Sequence, residues 1–247
     1  MKDGEPMILM VGVGHVFRIA ETVSFIVKNV WPQAVLVELD GKRYDAIMKP
    51  TPKGSEIKNQ DLPKSYRRAA KYQNRMASQN DTETGGEMVA AVQTANVIGA
   101  DVVCIDRDAQ KVMQEMEDEM SFAEKARYGM STYTDNLFGK KKIEKTQKDF
   151  SLDEKAYIDA MRKKYPTFVR KLIDERNTFM AGRIRTESLR YSTMVIFVGD
   201  AHVEGICEQL PDLKINKIRL AELIDPDKLE KVKDAIWNDE IGKKGEE

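Results

Sequence analysis

The chain has 247 residues, 41% hydrophobic and 33% charged, a composition that suits a globular protein long enough to bury a core. Lys plus Arg number 40 and Asp plus Glu 41, for a formal net charge of -1, so no global basic field exists to hold nucleic acid or an anionic membrane surface, and neither is an expected partner. The longest nearly unbroken apolar stretch, Met7 to Val13, falls far short of the roughly 20 residues that cross a bilayer. Asp3 and Glu5 before it are wrong for a secretory signal. Cys104 and Cys207 are too few for a disulfide framework or a Cys-rich zinc module, and both read as buried thiols, so the expected setting is the cytoplasm and the expected state soluble.

The first half alternates short β-type runs with amphipathic helical patterns, which predicts a mainly parallel central sheet with crossover helices. Met7 to Val13 is the first strand. Ile19, Val23, Ile26, Val27 and Val30 then recur at helical spacing on one stripe, up to Pro32, which cannot donate the next backbone hydrogen bond. Ala34 to Leu39 reads as a second buried strand. Prolines between Thr51 and Pro63 mark a loop into a basic helix around Ser65 to Ala77, whose Arg67, Arg68, Lys71 and Arg75 make either a patch for an acidic partner or, more simply, a solvated face. Gly85 and Gly86 lead into a stripe of Met88, Ala91, Val92, Ala95 and Ile98, suited to close packing of a helix on the sheet.

Asp101 to Asp106 is the next strand. From about 109 to 190 the pattern is helical throughout, with acid-rich Glu115 to Glu119 and basic Lys140 to Lys148, and it reads as a helical insertion or cap within a single α/β domain spanning 1–247. The sheet resumes at Met194 to Val198 and gains a last strand at Ile215 to Leu220. An amphipathic helix opening near Pro226 closes the chain.

The chain has two histidines, and each follows an apolar strand by the same Gly-x-x-His step: Gly12-Val13-Gly14-His15 and Gly199-Asp200-Ala201-His202. In an open parallel sheet the carboxyl ends of the strands line the ligand crevice, so both imidazoles are expected at one edge. Glu38, at the end of the second strand, is costly there unless partnered and is expected at the same edge. Two imidazoles and a carboxylate provide three positions around a divalent ion with room for water, or Glu38 serves as base beside the ion. Arg43 and Arg107 are candidates to clamp a carboxylate or an oxyanion, and they are equally suited to pairing with Glu38 or Asp106. Arg176 and Asn177, in Glu175-Arg176-Asn177, are placed to reach over the crevice from the helical segment. A competing interpretation takes Gly12-Val13-Gly14 with Glu38 as a dinucleotide fingerprint, but Phe17 stands where that motif needs a small residue. No Gly-x-Ser-x-Gly elbow occurs.

Taken together, the two Gly-x-x-His motifs resemble the TraB/PrgY family, to which the Tiki proteases are related. Between them, Glu38-Leu39 with Arg43 is similar to the family's Glu-Leu-x-x-x-Arg segment. Gly86-Glu87-Met88 with Ala90-Ala91, Gly99-Ala100 before Asp106-Arg107, and Glu175-Arg176-Asn177 with Met180-Ala181 extend the likeness, as does Gly205-Ile206 after His202. The resemblance implies an α/β core related to the erythromycin-esterase and ChaN-like folds and, in members that are proteases, a divalent metal. It makes His15, Glu38 and His202 the expected metal ligands (Zn, Mn or Co), with Glu38, Arg43, Arg107 and Arg176 as catalytic groups. The expected activity is a metal-dependent hydrolase acting on peptides or proteins. A non-catalytic peptide-binding regulator, of the pheromone-shutdown type, is the alternative, a nucleotide-binding protein is the third, and a homo-oligomer fits any of them. Two departures bear on this: Asn177 replaces the usual Asp, and the membrane segments that follow the domain in many members have no counterpart in these residues.

Overall fold

The computed structural model describes residues 5–14, 17–49, 85–128 and 154–238. His15, the basic stripe around Arg67 to Arg75 and the Lys140 to Lys148 run lie outside the described residues. The elements run β1 (Met7–Val13), α1 (Ala20–Val30), β2 (Ala34–Val37), α2 (Gly41–Met48), α3 (Gly86–Ile98), β3 (Asp101–Cys104) and α4 (Ala109–Glu119). The second half continues with α5 (Glu154–Lys164), α6 (Pro166–Val169), a π-helical turn (Arg170–Asp174), α7 (Glu175–Ser188) and β4 (Thr193–Gly199). A 3-10 turn (Asp200–His202), α8 (Val203–Cys207), β5 (Ile215–Ile218), α9 (Leu220–Leu223) and α10 (Pro226–Trp237) complete the order. Among the described residues, no helix is long and apolar enough to cross a membrane.

The five strands form one sheet in the order β3-β2-β4-β1-β5, every pair parallel. The near-continuous apolar runs of β1, β2 and β4 follow from this, because a parallel strand covered on both faces has no side to give to water. Side-chain alternation divides each strand between two cores. Leu9, Val11, Val35, Val37, Val195 and Phe197 pack with α1, α3 and α10 on one face. Ile8, Met10, Leu36, Met194, Ile196 and Val198 pack with Met180 and Ile184 of α7 and Val203 and Ile206 of α8 on the other.

The strand order explains that division. The chain steps outward from β1 to β2 to β3, then returns to insert β4 between β1 and β2 before passing to β5. Crossovers of a single hand require the outward and return helices to lie on opposite faces, as α1 and α3 do relative to α7 and α8. At its carboxyl end, therefore, β4 sends the chain to one face while its neighbours β1 and β2 send it to the other. In an open parallel sheet such a divergence is where a ligand crevice forms.

Local chemistry fixes the element ends near the crevice. The Asp40 carboxylate caps α2 by accepting from the backbone N–H groups of Lys42 and Arg43, and Asp108 caps α4 in the same way through Gln110 and Lys111. Helix α3 begins after Gly85 and stops at Gly99, at φ of 80° and 78°, left-handed values that a side chain would strain.

Candidate functional site

Strand pairing continues one step beyond the strands and carries two acids to the crevice. The Glu38 N–H donates to Phe197 C=O at 3.0 Å, and the Asp106 N–H to Leu39 C=O at 3.2 Å. On the neighbouring strand, Gly199 closes β4 and donates its N–H to Glu38 Oε2. A side chain at Gly199 would approach that same oxygen at 3.2 Å, so the glycine admits the carboxylate beside the backbone. Both Glu38 and Asp106 are buried, which is tolerable only if a cation faces them.

Arg176 is that cation. It comes from α7, immediately after the π-helical turn, a kind of helical irregularity often found at functional sites. Nε and Nη2 form a fork on Asp106 at 2.9 and 2.8 Å, and Nη2 also donates to Glu38 Oε1. Nη1 donates to Leu172 C=O at 3.2 Å and faces His202 Nε2 at 3.1 Å. All five guanidinium N–H donors are thereby engaged. Burial alone would lower the pKa of Arg176, but Glu38 and Asp106 outweigh it and hold the group charged, above its ordinary value.

His202 is buried and bonded at both nitrogens, with Nδ1 lying 2.6 Å from Asn177 Oδ1. Its Nε2 is 3.6 Å from Glu38 Oε1. Arg43, from α2, donates from Nη1 to the backbone C=O of Glu38 at 3.2 Å and lies 3.8 Å from Asp106 Oδ2. Its side chain is 34% exposed against 15% for Arg176, and its other N–H donors take no partner among the described residues. The two arginines thus differ in what they can do: Arg176 is used up inside the protein, whereas Arg43 has donors to give a ligand.

Glu38, Arg43, Arg176 and His202, singled out from the sequence, are brought together. Arg107 is not, because its guanidinium turns to Glu175 and Glu115 at 3.0 and 2.9 Å. The ion pair considered for Glu38 and Arg43 takes a different form, since Arg43 reaches the backbone oxygen of Glu38 while its carboxylate pairs with Arg176. Two participants were not assigned from the sequence. Asp106 was read only as a partner, although an acid at the end of Val102-Val103-Cys104-Ile105 repeats the signal that singled out Glu38. Asp200 lies at the β1 side of β4, where Arg219 forks onto it at 2.9 Å through both Nε and Nη2 and the Leu220 N–H donates to it at 2.9 Å.

The same geometry accounts for Gly12 and Gly14. A methyl group on Gly12 would overlap Asp200 Oδ1, and one on Gly14 would meet Phe17 at 2.7 Å and Leu220 at 2.8 Å. Contacts within the chain thus require the glycine pair, with no pyrophosphate needed to explain it. Neither thiol is set up as a nucleophile: burial, with Asp40 and Asp45, pushes Cys104 up to about 11, and burial raises Cys207.

His202 Nε2 and Glu38 Oε1 are close enough to share an ion, but Arg176 donates to both. As arranged, these donors do not fit a divalent cation, since the guanidinium holds the lone pairs that the ion would need. Among the described residues no group of three His, Cys, Asp or Glu is placed to hold a metal; His15 lies outside them.

Comparison with known proteins finds that the TraB/PrgY/gumN family matches residues 1–222. An uncharacterized protein of Methanocaldococcus jannaschii, MJ1365, is 28% identical, with the alignment covering 91% of this chain and 58% of the relative. The chain thus spans a little over half the length of that relative.

Proposed function

This chain belongs to the TraB/PrgY/gumN family, and from that premise we propose that it is a hydrolase that cleaves peptide bonds in the crevice at the carboxyl edge of the sheet. The observation that supports this most is the convergence of Glu38, Asp106, Arg176 and His202, from four separate segments, on one buried spot. Arg43, with donors to spare, holds the substrate carbonyl and stabilises the oxyanion as it forms. Glu38 takes the proton of the attacking water and gives it to the amine nitrogen as the C–N bond breaks. Arg176 fixes Glu38 and Asp106 by hydrogen bonds, so the groups that meet the substrate are placed before binding.

The test is peptide cleavage by chelator-treated protein, repeated with added Zn²⁺, Mn²⁺ or Co²⁺ and accompanied by elemental analysis. The expected outcome is turnover after chelation, lowered roughly 100-fold by Glu38→Gln, the usual scale for losing acid-base assistance. Turnover seen only with an added ion would return the site to the metal-centred expectation built on His15, Glu38 and His202.

A second reading, a peptide-binding regulator, is favoured by one feature: Arg176 has every donor satisfied by the protein itself, as a rigid scaffold under a binding groove would. No cleavage under any of these conditions, together with retained peptide binding that Arg43→Ala weakens, would select it.

A further inference from the structure

The arrangement around His202 reaches past the reaction and concerns which nitrogen of the imidazole carries the proton. Arg176 Nη1 stands 3.1 Å from Nε2, and a guanidinium has donors but no acceptor. Nε2 must therefore accept, which puts the proton of a neutral ring on Nδ1. Nδ1 lies 2.6 Å from Asn177 Oδ1, an oxygen well placed to receive that proton. The opposite orientation of the amide would set its NH₂ against the Nδ1 proton, donor against donor, so Arg176 on one side of the ring and the Asn177 oxygen on the other select the same tautomer of His202.

We infer that Asn177 is a positioning residue that holds the ring proton of His202 on Nδ1, so that Nε2 receives Arg176. Leucine in its place would leave the Nδ1 proton without that acceptor and Arg176 alone to hold the ring. Glu38 and Arg176 are the charged side chains that face His202 among the described residues. Gly205 belongs to the same device, because a methyl group there would overlap Asn177 Nδ2. The Gly-x-x-His step thus continues, through Gly205, into a fitted chain from Asn177 to His202 to Arg176 to Glu38.

The test is ¹⁵N NMR of the full chain labelled at histidine, with the two ring systems assigned through His15→Gln. The result expected for His202 near neutral pH is one tautomer, protonated on Nδ1 and bare on Nε2. Asn177→Leu, and Gly205→Ala with Asn177 retained, should both give a mixture of tautomers. A wild-type His202 protonated on Nε2 or on both nitrogens would overturn the inference even if no variant folds, and so would identical His202 spectra for wild type and Asn177→Leu. The inference shares the crevice with the proposed hydrolase, but the spectra are read without substrate, so failure of one leaves the other standing.

Discussion

Five residues apart on one helical run, Lys171 and Arg176 each gather carboxylates, yet they do so in opposite surroundings. Lys171 Nζ meets Glu119, Glu175 and Glu115 at 2.7, 3.1 and 3.4 Å, with Arg107 and Arg170 sharing the same acids. Arg176 meets Glu38 and Asp106. Both cations are largely buried; their partners are not alike. The carboxylates around Lys171 are 26% to 42% exposed, whereas Glu38 and Asp106 are 4% and 1% exposed. Water can replace Lys171 as a partner for its acids, but it cannot readily replace Arg176. The cluster around Lys171 is therefore a salt-sensitive clasp, and the crevice cluster is part of the core that happens to be ionic.

The largest effect expected from this contrast is on stability. Arg176→Met should cost about 3–5 kcal/mol, because it strands two buried carboxylates. Lys171→Met should cost no more than about 1 kcal/mol, the scale of a pair whose partners stay solvated. Equilibrium urea denaturation of both variants at neutral pH measures the difference. Equal losses would break the comparison.

A medium effect is expected on the β1 side of the crevice, where charge pairing depends on an absent side chain. Gly12→Ala should drive Asp200 from its place and with it Arg219 and the start of α9, at about 1–3 kcal/mol, as for other overpacked sites. Asp200→Ser in the Gly12→Ala background should restore part of the loss by making room. If Gly12→Ala were neutral, the close fit between β1 and Asp200 would not constrain the edge.

These contrasts also show how far the sequence could be read. The strands were legible because β1 and β4 are apolar runs too short for buried helices of ordinary length, and α1 because Ile19, Val23, Ile26, Val27 and Val30 mark a single face. Strand order was not legible. Nothing in the local pattern of Met194 to Val198 says that it inserts between β1 and β2, because that follows from the hand and length of the crossovers. The predicted strand ends at Leu39, Asp106 and Leu220 overran those observed at Val37, Cys104 and Ile218, since the apolar or charged residues that follow belong to the loops that shape the crevice. At the site, the Gly-x-x-His step and the acid ending β2 located the correct edge for Glu38 and His202. The direction of each arginine could not be foreseen. Arg107 follows Asp106 directly, yet it turns to Glu115 and Glu175, which come from helices whose packing the sequence does not state.

The smallest effect expected separates the two clusters by pH. Burial would raise the pKa of Glu115, but Arg107 and Lys171 outweigh it and hold it below the ordinary carboxylate value. Hydrogen bonds from Lys171 and Arg170 lower Glu119 in the same direction. A carboxyl whose folded pKa is depressed adds stability that is fully present above its unfolded value, about 4.3 for Glu, and is lost as the pH falls through the lower folded value. The clasp should therefore loosen below about pH 4 and be indifferent to pH between 5 and 8. In Lys171→Met the depression is reduced at both acids, so the decline of stability between pH 5 and 3 should be shallower than in the wild type. Addition of salt should blunt the same slope, because these acids are within reach of counterions. Urea midpoints across that range, for wild type and Lys171→Met at low and high salt, provide the measurement. Parallel slopes in the two proteins would mean that acid sensitivity lies outside the cluster around Lys171.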